Sequence, residues 1–363
     1  MKKTILSIAL NAPINNLFDY SLDKNSTIAP QPGQRVRVPF GKQEKIGFIN
    51  KVSDKTTIAS SKIRPILGIL DERPLLDSDL LMLINWTSQY YHYPIGEVFA
   101  AAVPLYLRQS KYPKKVEQES LLEPLQNRKK LTTEQRQSFK DISNALSKKE
   151  PIVLNGITGS GKTELYMQII ERKLRQKEQA LVLVPEIGLT PQLLGEFRSR
   201  FGNTITVIHS ENTPKENAVN WVKAKNGLSK IILGTRSAVF TPFKSLGLII
   251  VDEEHDASYK QQSGLRYSAR DLSLVRAANN NVSVILGSAT PSFETLMNVE
   301  KKKYQQTVLK KRVFSTPLPT TKMIDLRVHP QERGLTKLLI NEIKTQLDNN
   351  KQSLIYLNRR GYS

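Results

Sequence analysis

The chain has 363 residues, enough for two or three domains, and at 39% hydrophobic it can build ordinary cores. Lys and Arg number 54 against 33 Asp and Glu, a formal net charge of +21 that points to a polyanionic partner, although a Lys-rich coding bias would give part of the same excess. The absence of cysteine excludes disulfides and thiolate metal sites and fits a reducing cytoplasm; four histidines leave little for a protein-built zinc site, and no apolar run approaches the roughly 20 residues of a membrane span.

The first 20 residues open with Lys2 and Lys3 like a secretory leader, but the apolar stretch is short, contains Ser7 and lacks a small-residue cleavage site; it reads as a first strand. Arg35–Phe40 alternates basic and apolar side chains, and Ile46, Phe48 and Val52 alternate beyond the turn Gly41–Lys45, which gives two strands with one buried face. A helix is expected over Ser78–Tyr91, with Leu80, Leu83, Ile84 and Thr87 on one side. Residues 1–105 thus form a small β-rich domain. Residues 106–130, with mixed charges, prolines and little periodicity, read as a basic linker.

From Leu131 the texture changes. Short apolar runs at Ile152–Leu154, Ala180–Val184, Ile205–Ile208, Ile231–Leu233, Leu248–Val251 and Val282–Leu286 alternate with amphipathic helical segments. That pattern implies an α/β lobe over 131–330, a parallel sheet with helices on both faces. A further helix at Leu335–Leu347 and a strand at Ser353–Leu357 make 331–363 a connection and the first strand of an incomplete second lobe.

Gly156-Ile157-Thr158-Gly159-Ser160-Gly161-Lys162-Thr163 matches G-x-x-x-x-G-K-[ST] between the strand Ile152–Leu154 and a helix over Lys162–Leu174, the context this phosphate-cradling motif requires. Backbone N–H groups along Gly156, Thr158, Gly159, Ser160 and Gly161 are expected to wrap the phosphates of ATP. Lys162 is expected to reach the β- and γ-phosphates, and the Thr163 hydroxyl to ligate Mg²⁺. Asp252-Glu253-Glu254-His255 follows the strand Leu248–Val251. There Asp252 is expected to hold Mg²⁺ through water, and Glu253 to orient and deprotonate the attacking water. In isolation these acids would pass for a helix cap; the phosphate loop upstream decides between the two readings.

The acidic cluster resembles the DExH box of superfamily-2 helicases, which adds His255 to the nucleotide-contacting set. Gly287-Ser288-Ala289-Thr290 resembles their S-A-T motif, in which Ser288, Ala289 and Thr290 would couple nucleotide state to the DNA track. Leu131–Gln135 is similar to their adenine-reading motif, with Gln135 offering donor and acceptor to a base edge. The lobe is therefore expected to be RecA-like. Longer runs are more specific: GITGSGKTELY at 156–166, VPEIGLTPQ at 184–192, LGTRSAVFTPF at 233–243, DEEHDASYKQQSGLRYSARDL at 252–272, LGSATPSFETL at 286–296 and LNRRGYS at 357–363, with NNLFDY at 15–20, RVRVPFGKQ at 35–43 and YYHYPIGEV at 90–98. By these runs the chain resembles the PriA family of replication-restart helicases over nearly its whole length.

That resemblance implies an ATP-dependent 3′-to-5′ DNA helicase that recognises stalled forks and initiates primosome assembly. It implies that Tyr259, Lys260, Arg266, Tyr267 and Arg270 meet single-stranded DNA through rings and cations, and that Arg236 touches the DNA backbone. It also implies that Phe18, Asp19, Gly41 and Lys62 form a pocket for a nascent 3′ end. Primosome proteins and single-stranded-DNA-binding protein are implied partners, and Zn²⁺ an implied cofactor of full-length members, whose cysteine ligands are absent here. Two departures stand out. About 25 residues, 106–130, separate the N-terminal domain from the lobe, too few for the family's winged helix. The chain also ends at Arg359–Ser363, ahead of the zinc insertion and the second lobe with its arginine finger, so it is expected to hydrolyse ATP poorly by itself. A non-motor fork-binding fragment and another superfamily-2 translocase are the alternatives.

Overall fold

A computed structural model describes residues 4–23, 26–113, 116, 128–314, 320–332 and 334–356. Two compact units divide the chain, 1–314 and 315–363, so the first unit ends short of the boundary expected at 330.

The alternating N-terminal segments build an antiparallel sheet from β1 (Ile5–Leu10), β2 (Phe18–Ser21), β3 (Arg35–Phe40), β4 (Gln43–Ser53) and β5 (Gly68–Ile69), in the order β2-β1-β4-β3-β5. Its inner face buries Leu6, Ile8, Val36, Val38 and Ile49. The β3–β4 turn needs positive φ at Gly41, +61°, which glycine adopts without strain. Two helices follow. In α1 (Ser78–Tyr90), Asp77 caps the start by accepting from Leu80 N, and Leu80, Leu83, Ile84 and Thr87 form the buried stripe; α2 is Ile95–Ala102.

The second half is doubly wound: α3 (Thr133–Ser147), β6 (Ile152–Gly156), α4 (Lys162–Arg175), β7 (Gln179–Leu183), α5 (Pro191–Phe201), β8 (Ile205–Ile208), α6 (Pro214–Lys225), β9 (Ile231–Gly234), β10 (Leu246–Val251), α7 (Ala269–Asn280), β11 (Ser283–Ser288), α8 (Phe293–Glu300) and β12 (Gln305–Leu309). Among the described residues seven parallel strands run in the order β12-β6-β11-β10-β7-β9-β8. Period-two alternation sends Leu181, Leu183, Ile249 and Val251 into one core and Ala180, Val182, Leu248 and Ile250 into the other. Both faces are buried, which is why the strands read as continuous apolar runs.

The N-terminal domain contributes to this packing. Leu80, Leu83, Val98 and Phe99 belong to the same buried cluster as Leu181, Ile249 and Leu286. Arg276 of α7 is fully buried and donates to Asp79 Oδ2 of α1 from Nε at 3.0 Å and Nη2 at 2.6 Å. Its Nη1 donates to the carbonyls of Val239 and Thr241, each at 2.8 Å. Residues 1–105 and the sheet lobe therefore share one core.

In the second unit, β13 (Gln331–Glu332) and β14 (Leu335–Thr336) pair antiparallel and α9 spans Lys337–Asp348. The strand expected at Ser353–Leu357 does not form over its described part: residues 353–356 have no ladder partner among the described residues, and Leu354 is 99% exposed. Leu357, the LNRRGYS run and most of the expected linker and missing winged helix lie outside the described residues.

Candidate functional site

β6 ends at Gly156 and α4 begins at Lys162; the loop between them closes on itself through Ser160 N donating to Ile157 O at 3.0 Å. Gly159 and Gly161 hold φ of +80° and +82°, the left-handed region that a side chain would strain. A Cβ at Gly161 would overlap Gln135 Nε2, and one at Gly156 would lie 2.7 Å from Ser160 Oγ. The loop lines a cleft of about 410 Å³ together with Lys162, Thr163, Asp252 and Glu253. The three side chains on which the nucleotide reading depends, Lys162, Thr163 and Asp252, therefore face one cavity.

The cradle fits a triphosphate on its own features. Ser160 Oγ is buried there without a partner. Lys162 Nζ donates to Gly156 O at 2.8 Å and pairs with Glu253 Oε1 at 3.3 Å, so its charge is held inside the cradle by one carbonyl and one carboxylate. Asp252 Oδ1 accepts from Tyr166 Oη at 2.9 Å. Burial, then the neighbouring Glu253 charge, pushes the Asp252 carboxyl up to about 6, against the opposing Tyr166 hydrogen bond and Lys162 charge. Glu253 has φ of +45°, unusual for a non-glycine residue and a mark of local strain beside the carboxylate pair.

Two side chains assigned to the nucleotide also bond within the protein. Gln135 is buried, and both ends of its amide bond within the protein: Oε1 accepts from Thr132 N at 2.9 Å in the capping box of α3, and Nε2 donates to Ser160 O at 2.8 Å. It braces the phosphate loop while lining the cleft, with one amide N–H and one carbonyl lone pair left over from these two bonds. His255 lies outside the cleft lining; its Nδ1 meets Ser288 Oγ at 2.7 Å. Ser288 Oγ also accepts from Thr290 N at 2.9 Å, so the acidic box and the S-A-T turn share one hydrogen-bond relay.

A second tie between these motifs was not expected. Glu254 is 1% exposed, and its carboxylate accepts from Ser292 N at 2.7 Å, Thr295 Oγ1 at 3.0 Å and Arg270 Nη1 at 3.2 Å. A strand ending in three acids gave no sign of which one would turn inward. Tyr166 also escaped notice, as one more apolar position of an amphipathic helix.

The loop Asp256–Arg270 differs from a simple DNA-stacking surface. Tyr259 is 2% exposed and donates from Oη to Asp252 O at 2.6 Å. Tyr267 is 5% exposed and packs edge-on against Phe240 at 5.2 Å, and burial pushes its hydroxyl up to about 12. These two rings complete the core, so base stacking by them is ruled out in this arrangement. Arg270 is bound to Asp271 and Glu254, which neutralise it as a phosphate contact. Arg266 and Lys260 remain exposed, Lys260 with its ammonium 5.1 Å from the Tyr91 ring. Arg236 donates to Ser258 O at 2.7 Å and so props the loop from the strand end Gly234.

In the N-terminal sheet, Phe18 meets Phe40 edge-on at 5.4 Å, and Gly41 follows Phe40 with nothing within 4 Å of the space a Cβ would take. Asp19 accepts from Ser7 Oγ and Thr56 Oγ1, each at 2.7 Å. Lys62 is exposed at the end of a single turn, Ser60–Lys62, whose following segment bridges β2 at Ser21–Pro65. Phe18 and the Phe40–Gly41 turn are thus in contact, whereas Asp19, the next residue of β2, is tied to Ser7 and Thr56, and Lys62 lies on a separate segment.

Comparison with known proteins adds to this geometry. Residues 7–104 match the PriA 3′ DNA-binding domain, and residues 132–299 match the DEAD/DEAH box helicase domain. The replication restart protein PriA of Haemophilus influenzae is 35% identical over 432 residues, covering 99% of this chain and 59% of that protein. PriA of Rickettsia conorii is 35% identical over 366 residues, covering 99% and 54%. PriA of Bacillus subtilis is 40% identical over 238 residues, covering 64% and 30%. The chain thus spans somewhat over half the length of the first two relatives. The Haemophilus alignment is longer than this 363-residue chain, so that relative carries inserted residues that the Rickettsia alignment hardly needs. Among solved structures, RecG bound to a three-way DNA junction covers 64% of this chain and 30% of its own, with a TM-score of 0.39 and 22% identity.

Proposed function

We propose, on the premise that this chain belongs to the PriA family of replication restart proteins, that it is the ATP-binding and DNA-end-binding part of a 3′-to-5′ helicase acting at abandoned replication forks. The observation that carries the reading is the convergence of Lys162, Thr163 and Asp252 on one cleft. Thr163 and Asp252 would hold the Mg²⁺ that this helicase class uses with ATP, and the metal would neutralise charge on the β- and γ-phosphates. The Lys162 ammonium, now shared by Gly156 O and Glu253, would move to the phosphate oxygens. That exchange frees Glu253 to accept the proton of the attacking water. The relay from His255 to Ser288, and the tie from Glu254 to Ser292, then carry any movement of the acidic box into the S-A-T turn.

The DNA side of the proposal rests on the N-terminal domain match and on the contact of Phe18 with Phe40, beside an open Gly41, with Asp19 next to Phe18 in β2. A terminal nucleotide would stack near Phe18 and hydrogen-bond to Asp19, with Lys62 on a phosphate. Primosome proteins and single-stranded-DNA-binding protein are the proposed partners and the cytoplasm the proposed compartment. The zinc of full-length relatives would use cysteines outside this chain, which has none. Among the described residues no helix is long and apolar enough to cross a membrane.

The test separates nucleotide from DNA. Lys162→Ala is expected to lower Mg²⁺–ATP affinity by about 10-fold or more, since a charge-assisted contact to phosphate is lost, and to leave the affinity for a fork with a free 3′ end unchanged. Nucleotide binding that survives the substitution would sink the reading of the cleft. Equal affinity of the unaltered chain for forks with free and with blocked 3′ ends would sink the reading of the pocket.

A further inference from the structure

The segment after β12 lies across the nucleotide cleft as a strap. Ile157 N donates to Leu309 O at 3.2 Å, which joins the strap's origin to the phosphate loop. Lys310 N and Lys311 N then donate to the two oxygens of Glu134, at 3.0 and 3.1 Å, in the first turn of α3. Val313 N donates to Gly159 O at 3.0 Å, inside the phosphate loop itself. Three successive attachments fix the backbone that carries the next residue, Phe314. That side chain is 80% exposed, yet it forms part of the cleft wall, on the same lining as Lys130, Met167 and Val313.

An exposed phenylalanine is ordinary on a surface; its place here is what matters. Lys162, Thr163 and Asp252 mark where the phosphates would sit, and Met167 and Phe314 belong to the same lining. A base seated beyond the phosphates needs a flat apolar partner or a hydrogen-bonding edge. Gln135, the side chain expected to supply the edge, lines the cleft but is held through both ends of its amide by Thr132 and Ser160, and it has no aromatic face to offer. Among the described residues lining the cleft, Phe314 is the only aromatic one.

We propose that the nucleobase of the bound triphosphate stacks on Phe314, so that this strap residue supplies the flat contact for the base. The inference rests on the reading of the cleft as a triphosphate site and names the residue that holds the other end of the ligand. Stacking uses the face that every base has, so it favours a nucleoside triphosphate over a bare polyphosphate without reading base edges. It also places the base contact at the last residue of the first compact unit, where the chain leaves the lobe.

The experiment compares Mg²⁺–ATP with Mg²⁺–tripolyphosphate, titrated into the 363-residue chain by calorimetry. Phe314→Ala is expected to weaken ATP about 5-fold or more, the lower end of measured base–aromatic stacks, and to leave tripolyphosphate within about 2-fold. Phe314→Tyr is expected to restore ATP affinity, because it keeps the ring. Circular dichroism of the variant checks that it folds. ATP affinity unchanged in Phe314→Ala overturns the inference, as does equal weakening of both ligands, which would place the effect on the phosphate loop. An unaltered chain that binds ATP no better than tripolyphosphate overturns it too, while leaving the phosphate reading standing. Failure to bind either ligand would remove the triphosphate reading and the inference with it.

Discussion

Asp252 has two oxygens in different circumstances: one accepts from the buried Tyr166 hydroxyl, and the carboxyl as a whole is pushed up to about 6 by burial and by Glu253. A metal ligand must be deprotonated, so metal binding at Asp252 competes with its proton. Above pH 6 the carboxylate is already charged and the affinity for Mg²⁺ is flat with respect to this group. Below it, each further pH unit costs up to about 10-fold. Protonation of ATP itself also weakens Mg²⁺ at low pH, so the comparison is with Asp252→Asn. Between pH 7 and pH 5, the Mg²⁺ concentration needed for half-maximal ATP binding is expected to rise about 10-fold more in the unaltered chain than in the variant. Parallel profiles would show that Asp252 does not hold the metal. At this scale the phosphate loop was legible in the sequence because its motif fixes both spacing and backbone context. Gln135, His255, Tyr259, Tyr267 and Arg270 were harder. Each carries the donors or ring that a ligand would want; Gln135, Tyr259 and Tyr267 are buried and meet Ser160, Asp252 O and Phe240, while the more accessible His255 and Arg270 meet Ser288 and Glu254.

Between elements, the closest approach at the site is that of β11 to α4. A Cβ on Gly287 would overlap Tyr166 Oη and stand 2.8 Å from its ring carbon, with Asp252 Oδ1 3.3 Å away. The glycine just before the S-A-T turn is therefore the space that lets a fully buried tyrosine reach the Asp252 carboxylate. Gly287→Ala is expected to destabilise the first unit by about 1–3 kcal/mol, as overpacking in a close-packed core does. Because the clash is with the hydroxyl and the ring carbon bearing it, Tyr166→Phe should recover part of that loss, giving a non-additive double-mutant cycle in chemical denaturation. Strictly additive losses would mean that the strand moves aside and the two elements are not coupled here. The strands themselves were legible: β8 begins and ends where its apolar run does, and β6, β7, β9, β10 and β11 each overlap theirs. β12 was not. Its pattern, Gln305-Gln306-Thr307-Val308-Leu309, buries only Thr307 and Leu309, because it is the edge strand beside β6 and one of its faces is wet. The reverse error at residues 353–356 has the same root: apolarity proposes a strand, and only a neighbouring strand can confirm one.

For the molecule as a whole, the decisive contact joins sequence positions 197 residues apart, Asp79 of α1 and Arg276 of α7. From sequence alone they belong to separate domains joined by a linker. A long-range ion pair leaves no local periodicity, so nothing in either helix announced it. Arg276 is 0% exposed and Asp79 20% exposed, and the guanidinium also satisfies two carbonyls of the lobe. Removing the carboxylate would strand a buried cation; Asp79→Ala is therefore expected to cost about 3 kcal/mol, near the lower end for such losses because Asp79 retains some solvent. Replacing both partners with apolar residues, as in Asp79→Leu with Arg276→Met, should recover most of it, since the desolvation of both charges is then avoided. The two tryptophans report the two sides of the seam, Trp86 from α1 and Trp221 from α6. If the N-terminal helices and the sheet lobe share one core, as the common buried cluster indicates, fluorescence and far-ultraviolet circular dichroism should give one coincident unfolding transition for the first unit. Asp79→Ala should move that transition without splitting it. Two separated transitions, with Trp86 melting ahead of an unchanged Trp221, would show instead that the N-terminal domain is docked on the sheet lobe and not built into it.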